Sequence, residues 1–201
     1  MEDNKKVKEI VDTSNMSNEE WLNYRRKGIG GSDVGAICGL SKWRSPYAVY
    51  LAKLDQLPYE PQTQSAHFGD MLEEIVAQEF TKRTGKKVRK KNKMLRHPEH
   101  DFMLANIDRM VVGERAFLEC KTTSAYNYKE WEGDNIPETY MLQIQHYMAV
   151  LDYEYCYIAC LIGGNNLEKL EAVSSLYVLN SFWFTIDIIY LILSTLINYN
   201  I

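Results

Sequence analysis

Cysteine is scarce in this chain, and neither sign of charge is in large excess. The four cysteines among 201 residues lie at positions 38, 120, 156 and 160, a sparse spacing that argues against a secreted disulfide scaffold. The 23 Lys and Arg residues against 27 Asp and Glu residues give a formal net charge of −4. This balance excludes a protein that coats nucleic acid with a uniformly basic surface, but it is compatible with a local basic groove.

The sequence also lacks an internal repeat and an apolar leader, since residues 1–9 are almost all polar. We therefore expect a cytoplasmic protein with reduced thiols. The apolar fraction of 46% and the aromatic fraction of 12% are those of an ordinary globular protein, which excludes a disordered or low-complexity chain. A length of 201 residues predicts one domain, with at most a small appendage.

Helical signals dominate the first half of the chain. Ser17 and Glu20 form a capping-box pattern, Ser32 is predicted to cap a short helix, and Ser45 precedes a proline at the start of a third. The predicted helices cover residues 17–26, 33–38, 46–56 and 65–84. The apolar stripe of the fourth helix is predicted to comprise Phe68, Leu72, Ile75, Val76 and Phe80.

Strand signals follow, with one further helix among them. The predicted strands cover residues 87–94, 101–107, 109–112, 116–122 and 154–162, and the helix covers residues 137–151. This order predicts an α/β fold in which helices flank a mixed central sheet. We divide the chain into a polar N-terminal arm (1–16), a core (17–165) and an atypical C-terminal tail (166–201).

The C-terminal tail is unusually apolar, because residues 176–201 contain a single charge, Asp187. Its length suffices to cross a bilayer, but Asp187 would then lie near the middle of the span, where a charge is costly. A membrane span is therefore disfavoured. The other two interpretations are a buried helix or strand pair, and the product of an aberrant reading frame or truncation.

Two acidic residues and a lysine form the central chemical constellation. A hairpin turn at Gly113-Glu114 places Asp108 opposite Glu119, and strand alternation puts Glu119 and Lys121 on one face. Facing carboxylates repel each other unless a divalent cation such as Mg²⁺ lies between them. Lys121 could then orient the attacking water or stabilise negative charge on phosphorus, as phosphodiester hydrolysis requires. The alternative is an exposed strand with alternating salt bridges.

Two further features support a hydrolytic site. Glu73 lies beside the apolar stripe of its helix and could supply a third carboxylate, or it could be a solvated flank residue. Arg25 and Arg26 lead into a glycine-rich turn that ends at Ser32. Backbone N–H groups, a hydroxyl and a guanidinium would make a phosphate pocket there, although a plain capped turn is the alternative.

Polar and basic residues on other segments are compatible with a nucleic-acid substrate. Gln143, His146 and Tyr147 share one face of the helix predicted over residues 137–151 and could point into a cleft or be buried and satisfied by backbone. A run of nine cations is not interrupted by any acid. It could track a phosphate backbone or form a solvated face, and it comprises Lys82, Arg83, Lys86, Lys87, Arg89, Lys90, Lys91, Lys93 and Arg96.

Several short motifs occur in order between residues 21 and 164. They are Trp21-Leu22-Asn23-Tyr24-Arg25 with Gly28-Ile29-Gly30-Gly31-Ser32-Asp33, Phe68-Gly69-x-x-x-Glu73, Asn106-Ile107-Asp108, Leu118-Glu119-Cys120-Lys121-Thr122-Thr123-Ser124, and Ile136-Pro137 through Gln143-Ile144-Gln145-His146-Tyr147-Met148. In this order they resemble the YqaJ-type viral recombinase family, which comprises phage and prophage alkaline exonucleases related to the lambda exonuclease.

The resemblance implies a restriction-endonuclease-like core, of the PD-(D/E)XK type. It implies Mg²⁺-dependent 5′→3′ degradation of one strand of linear double-stranded DNA, at a two-metal site in which Mn²⁺ can substitute. The 3′ overhang would pass to a single-strand annealing protein during phage or prophage recombination. Members of such families form homo-oligomers, among them trimeric rings that thread DNA.

The resemblance also implies roles for individual residues. The implied metal ligands are Glu73, Asp108, Glu119 and the carbonyl of Cys120. The implied catalytic residues are Asp108, Glu119, Lys121, which would activate the water, and Gln143. The implied contacts to the 5′ phosphate and the DNA are Arg25, Ser32 and Tyr147, with Arg26 as a rival to Arg25.

The chain departs from the family pattern after Gly164, where a charged strand–helix segment gives way to the apolar tail. The alternative function is therefore a catalytically inactive DNA-end-binding accessory protein left by a prophage. Related nucleases with an iron–sulfur cluster carry four cysteines near the ends of the core. Because the cysteines of this chain lie elsewhere, we predict no cluster.

Overall fold

The computed structural model describes residues 6–58 and 61–174, and four helices lie between its first two strands. The helices are α1 (Asn18–Arg26), α2 (Gly31–Ile37), α3 (Pro46–Lys53), α4 (Gln64–Thr84) and α5 (Glu138–Leu151), with a 3₁₀ helix at Ala125–Glu130. The strands are β1 (Lys8–Asp12), β2 (Val88–Lys90), β3 (Lys93–Arg96), β4 (Leu104–Ala105), β5 (Arg109–Val111), β6 (Ala116–Thr123), β7 (Tyr155–Ile162) and β8 (Asn166–Ser174).

A five-stranded mixed sheet of order β2-β5-β6-β7-β8 forms the centre of the fold. Strands β6 and β7 are parallel and are joined by the crossover through α5, whereas the other pairs are antiparallel. Helix α4 packs Val76 and Phe80 on one face of the sheet, and α5 packs Ile144 and Met148 on the other. The predicted α/β fold, with a mixed sheet flanked by helices, is confirmed.

Helix boundaries follow the capping residues, with two corrections. The capping box of Ser17 and Glu20 starts α1, and Gly85, at a φ of 72°, ends α4 in the left-handed conformation that glycine adopts readily. Ser32 does not cap α2, because Gly30 is the N-cap and the carboxylate of Asp33 accepts its N–H at 3.0 Å. Helix α3 ends at Lys53 rather than near residue 56.

The apolar stripe predicted for α4 is only partly correct. Val76, Ala77 and Phe80 are buried, but Phe68 is 48% exposed and Ile75 is 53% exposed. The reason is that the C-terminal half of α4 packs on the sheet, whereas its N-terminal half borders the cleft described below.

The strand predicted over residues 87–94 is two strands in two different sheets. Strand β2 pairs with β5 in the large sheet, whereas β3 pairs with β4 and with the unpredicted β1 in a three-stranded sheet. The predicted hairpin is confirmed, because Arg109 pairs with Leu118 and Met110 with Phe117. The next position in this register sets Asp108 opposite Glu119.

The first part of the predicted tail continues the sheet. Residues 166–174 form β8, which runs antiparallel to β7 with a register shift between Ala159 and Cys160. Residues 175–201, on which the three interpretations of the tail depend, lie outside the described residues. Within the described ranges, no helix has the length and apolar character that a membrane crossing requires.

Gly31 lies where α2 packs directly against α5. A Cβ there would lie 2.6 Å from Cε1 of Tyr147 and 2.8 Å from Cγ of Gln143. We therefore expect Gly31→Ala to lower the free energy of unfolding by about 1–3 kcal/mol through overpacking, measured by urea titration. The control is Gly69→Ala within α4, where the nearest atom is Thr122 Oγ1 at 3.6 Å. The free energy of unfolding of this variant should rise by up to about 1 kcal/mol because alanine has the higher helix propensity. An equal loss of stability in both variants would contradict the overpacking explanation.

Candidate active site

A cleft of about 530 Å³ lies between α4, α5, β6 and the turn that follows α1. Its lining includes every residue to which the family resemblance gives a role, except Arg26, the rival of Arg25, although these residues span more than 120 positions of the chain. They are Arg25, Ser32, Glu73, Asp108, Glu119, Cys120, Lys121, Gln143 and Tyr147. The fold thus brings the predicted constellation together in one place.

Asp108 and Glu119 are held in this cleft with their charges only partly compensated. Asp108 Oδ2 accepts the N–H of Cys120 at 2.7 Å, while Glu119 is 1% exposed. Desolvation, reinforced by the charge of Glu119, raises the pKa of Asp108 well above its ordinary value. Desolvation also raises the pKa of Glu119, although Lys121 opposes this effect.

Lys121 and Gln143 bind one oxygen of Glu119 and leave the other without a partner. Lys121 Nζ donates to Glu119 Oε1 at 2.7 Å, and Gln143 Nε2 donates to the same oxygen at 2.6 Å. Lys121 also donates to Gln143 Oε1 at 3.2 Å and lies 4.8 Å from the ring centre of Tyr140. Within the part of the chain that the structure describes, the buried Glu119 Oε2 has no hydrogen-bond partner.

The ammonium of Lys121 stays charged in this environment. Burial disfavours the charge, but Glu119 and Asp108 outweigh burial and raise the pKa of Lys121. Lys121 is therefore a hydrogen-bond donor and a fixed positive charge.

The donor set fits a hard divalent cation at Asp108 and Glu119. Carboxylate oxygens are the ligands that Mg²⁺ prefers, and one or two carboxylates commonly hold it together with water and phosphate oxygens. The unpartnered Oε2 is a buried acceptor that such a cation would satisfy. Among residues 6–58 and 61–174, however, no cluster of three or more Asp, Glu, His or Cys side chains is arranged to hold a metal ion.

Glu73 is a third carboxylate of the cleft, and Arg109 binds one of its two oxygens. It lines the cleft, but its Oε1 accepts a hydrogen bond from Arg109, which also donates to Glu74 Oε2 at 2.9 Å and to the carbonyl of Asp108 at 2.8 Å. The guanidinium of Arg109 therefore compensates the negative charge of Glu73. A cation shared with Asp108 would otherwise have this role.

A second ionic cluster surrounds Asp33, beside the end of the cleft that Arg25 and Ser32 line. The buried Asp33 carboxylate pairs with three cations, namely Arg25 at 3.2 Å, Arg44 at 2.9 Å and Lys53 at 2.6 Å. Burial would raise the pKa of Asp33, but Arg25 and Lys53 outweigh it and lower the pKa to about 2. Three cations share one carboxylate, so the cluster carries an excess of positive charge.

Arg25, rather than Arg26, faces the cleft. Arg25 Nη2 donates to Ser32 Oγ at 2.8 Å, and its guanidinium lies 4.7 Å from the ring centre of Trp21. Arg26 instead pairs with Asp55 at 2.6 Å and does not line the cleft. The guanidinium and hydroxyl expected at a phosphate pocket are thus adjacent.

The polar face of α5 divides between the cleft and the core. Gln143 and Tyr147 reach the cleft, where Gln143 Nε2 lies 3.5 Å from the Tyr147 hydroxyl. Burial raises the pKa of Tyr147. His146 is turned away, with Nε2 3.0 Å from the carbonyl of Leu104, and burial lowers its pKa to about 4. His146 is therefore a neutral core residue at physiological pH.

The nine-cation run is not an open strip of positive charge. Six of its members form ion pairs, and four of these pairs reach acids outside α4: Lys86 with Glu114, Lys91 with Glu9, Lys93 with Asp12, and Arg96 with Asp101. None of the nine residues lines the cleft. Four of the nine residues therefore join the run to other strands and turns.

Arg109, Asp33 and Tyr140 are the site residues that the sequence analysis did not single out. Arg109 directly follows Asp108, and strand alternation turns it toward the Glu73-Glu74 pair on α4. Nothing local in the sequence indicates that Tyr140 lies against Lys121.

Comparison with known proteins agrees with this geometry. Residues 20–154 match the family model of the YqaJ-like viral recombinase domain. The chain belongs to this family. It is 57% identical over 170 residues to the uncharacterized protein YqaJ of Bacillus subtilis (strain 168), and this match covers 83% of the chain but 53% of that protein. The chain therefore spans about half the length of that relative.

Solved structures show the same fold at low sequence identity. LHK-Exo in complex with dAMP superposes with a TM-score of 0.75 at 18% identity, covering 90% of this chain and 95% of that one. The LHK-Exo alkaline exonuclease from Laribacter hongkongensis superposes with a TM-score of 0.69 at 15% identity, with the same coverage. The restriction-endonuclease-like fold and the family predicted from the sequence are confirmed.

The raised pKa of Asp108 predicts a stability change of known sign. An ionised Asp108 is less favourable in the folded than in the unfolded chain, so it opposes folding increasingly as the pH rises above the ordinary Asp value of 3.8. We expect Asp108→Asn, in chelator, to raise the free energy of unfolding by about 1 kcal/mol at pH 8 and by less near pH 5.

Denaturant titrations at the two pH values measure this difference. The control is Asp101→Asn, which removes an exposed carboxylate whose pKa Lys8 lowers and should bring no gain. A loss of stability in Asp108→Asn at pH 8 would show that Asp108 is a structural residue.

Proposed function

We propose that this protein is a metal-dependent exodeoxyribonuclease that degrades one strand of linear double-stranded DNA from its 5′ end and leaves a 3′ overhang. The observation that carries the proposal is the desolvated Asp108–Glu119 pair, with one unpartnered oxygen, beside the charged ammonium of Lys121. Membership of the YqaJ-like family and the alkaline-exonuclease fold support it.

Asp108 and Glu119 would hold Mg²⁺, with the Cys120 carbonyl as a further ligand. Mn²⁺ would be accepted in its place, since both ions take oxygen ligands. Such a cation supplies an activated water and neutralises charge that develops on the phosphate. A second metal would need Glu73, and Arg109 competes with that metal for Glu73 Oε1.

Lys121 would position the attacking water or stabilise a phosphate oxygen by hydrogen bonding. Its raised pKa makes it a donor at physiological pH rather than a base. Gln143 bonds both Lys121 and Glu119, so it would fix their relative positions and present its amide near the scissile phosphate.

Arg25 and Ser32 would bind the terminal 5′ phosphate, with Tyr147 at the wall of the cleft. Arg44 and Lys53 share the charge of Asp33 with Arg25, and this leaves Arg25 with positive charge to offer an anion. The Trp21 ring lies against the Arg25 guanidinium and would limit its movement.

The remaining parts of the proposal concern partners. The substrate is a double-stranded DNA end, and the overhang would pass to a single-strand annealing protein. A homo-oligomer, such as a trimeric ring, would keep the enzyme on its substrate. These partners rest on the family resemblance.

One observation favours a catalytically inactive DNA-end-binding protein instead. Arg109 donates to Glu73 Oε1, so this oxygen is not available to a second metal unless the ion pair breaks. The two candidate functions differ in whether a bound DNA end is degraded.

Digestion of a linear, 5′-phosphorylated duplex separates these functions. With Mg²⁺ we expect one strand to be lost, and chelator, Asp108→Ala or Glu119→Ala should reduce the rate to background. Glu79→Gln, which changes a half-buried acid outside the cleft, is the matched control and should digest normally. Tight binding without degradation would establish the inactive alternative, whereas degradation in chelator would contradict the metal site.

The end preference tests the phosphate pocket. We expect Arg25→Ala to abolish the rate advantage of 5′-phosphorylated over 5′-hydroxyl ends, because a charge-assisted contact to the phosphate is lost. Arg26→Ala should keep this advantage, since Arg26 pairs with Asp55 outside the cleft. Initial rates of digestion on duplexes with the two kinds of end measure this rate advantage. A preference that survives in Arg25→Ala would contradict the assignment.

A further inference from the structure

A second groove, of about 570 Å³, opens from the catalytic cleft. We call it the side groove. It shares Ser32, Tyr140 and Gln143 with the cleft and extends between the loop that follows α2 and the 3₁₀ helix. Apart from these shared residues, the proposed hydrolytic reaction uses none of its lining.

Aromatic side chains mark one rim and the floor of the side groove. Trp43 lines the rim that follows α2 and is 94% exposed. The floor contains Trp131, which is buried and lies 5.5 Å, centre to centre, from the ring of Tyr140. An exposed large aromatic side chain beside a concave polar surface is typical of a site that stacks on a flat ligand.

The charges of the side groove are balanced. Lys42 and Glu130 form an ion pair of 3.0 Å that joins the two rims, and Lys129 and Glu138 complete the charged lining. The remaining polar lining consists of hydroxyl and amide groups, namely Ser32, Ser41, Thr123, Asn127, Asn135, Thr139 and Gln143. Such a surface suits nucleobases, which offer a flat face and hydrogen-bonding edges, better than it suits a phosphate backbone.

We propose that the side groove binds unpaired nucleotides of a DNA strand at the duplex end, with Trp43 stacking on a base. This inference rests on the proposed nuclease function, because degradation of one strand requires that strand to separate from its complement beside the cleft. Unpairing and unstacking a base costs free energy. An aromatic platform continuous with the cleft would offset this cost.

Binding of a fluorescein-labelled dT oligonucleotide to the full chain in chelator tests the inference without cleavage. Base–aromatic stacking of ordinary strength predicts that Trp43→Ala weakens binding by about 5-fold to about 100-fold. Trp43→Phe should retain most of the affinity. The matched control is Tyr47→Ala, which removes a ring that is 67% exposed on α3 but does not line the side groove, and it should bind like the unaltered protein.

Salt dependence distinguishes stacking from charge attraction. The loss in Trp43→Ala should be the same at about 50 mM and about 200 mM NaCl, because stacking releases no counterions. Unchanged binding in Trp43→Ala, an equal loss in Tyr47→Ala, or no binding of dT by the unaltered protein would overturn the inference. The last result would point to a protein partner at this surface.

The assay also separates this inference from the proposed nuclease function. If duplex digestion fails while Trp43→Ala weakens dT binding, the nuclease proposal fails and the nucleotide-binding groove stands. If digestion proceeds while dT binding is unchanged in Trp43→Ala, the groove assignment fails alone.

Discussion

The repulsion between Asp108 and Glu119 in a desolvated cleft is the constraint on which the site depends. Their carboxylates face each other across the β5–β6 hairpin, and burial together with their mutual proximity raises the pKa of Asp108. One ammonium, that of Lys121, compensates part of this charge. This repulsion costs stability in the metal-free protein, and a bound cation would relieve it. Strongly shifted pKa values of this kind are typical of functional sites.

Two ionic clusters hold the walls of the cleft around this pair. Arg109 ties α4 to the start of β5 through Glu73 and Glu74, and Asp33 ties α1, α2 and α3 together through Arg25, Arg44 and Lys53. Buried ion pairs of this kind contribute little net stability but strongly penalise the loss of one partner. They therefore fix positions more than they stabilise the fold, and the ion pair between Arg109 and Glu73 is the one with which a metal at Glu73 would compete.

The parts of the site that follow from local periodicity could be predicted from the sequence. Strand alternation and one turn sufficed to place Asp108 opposite Glu119 and Lys121 beside it. The contact of Arg109 with Glu73 joins two elements 36 positions apart, and no local pattern encodes it. The ion pairs of the cation run could not be predicted either, because two of its partners, Glu9 and Asp12, lie on the unpredicted strand β1. The burial of His146 depends in the same way on packing against Leu104.

Divalent-metal binding measured directly, without DNA, is the sharpest test of the Asp108–Glu119 pair. Titration calorimetry of the full chain with Mn²⁺ at pH 8 should show at least one site per chain. Glu119→Gln should weaken that site by about tenfold or more, because one of its two carboxylates is lost. Glu79→Gln should bind like the unaltered protein. Equal affinity in Glu119→Gln and in the unaltered protein would contradict the assignment of this carboxylate pair as the metal site.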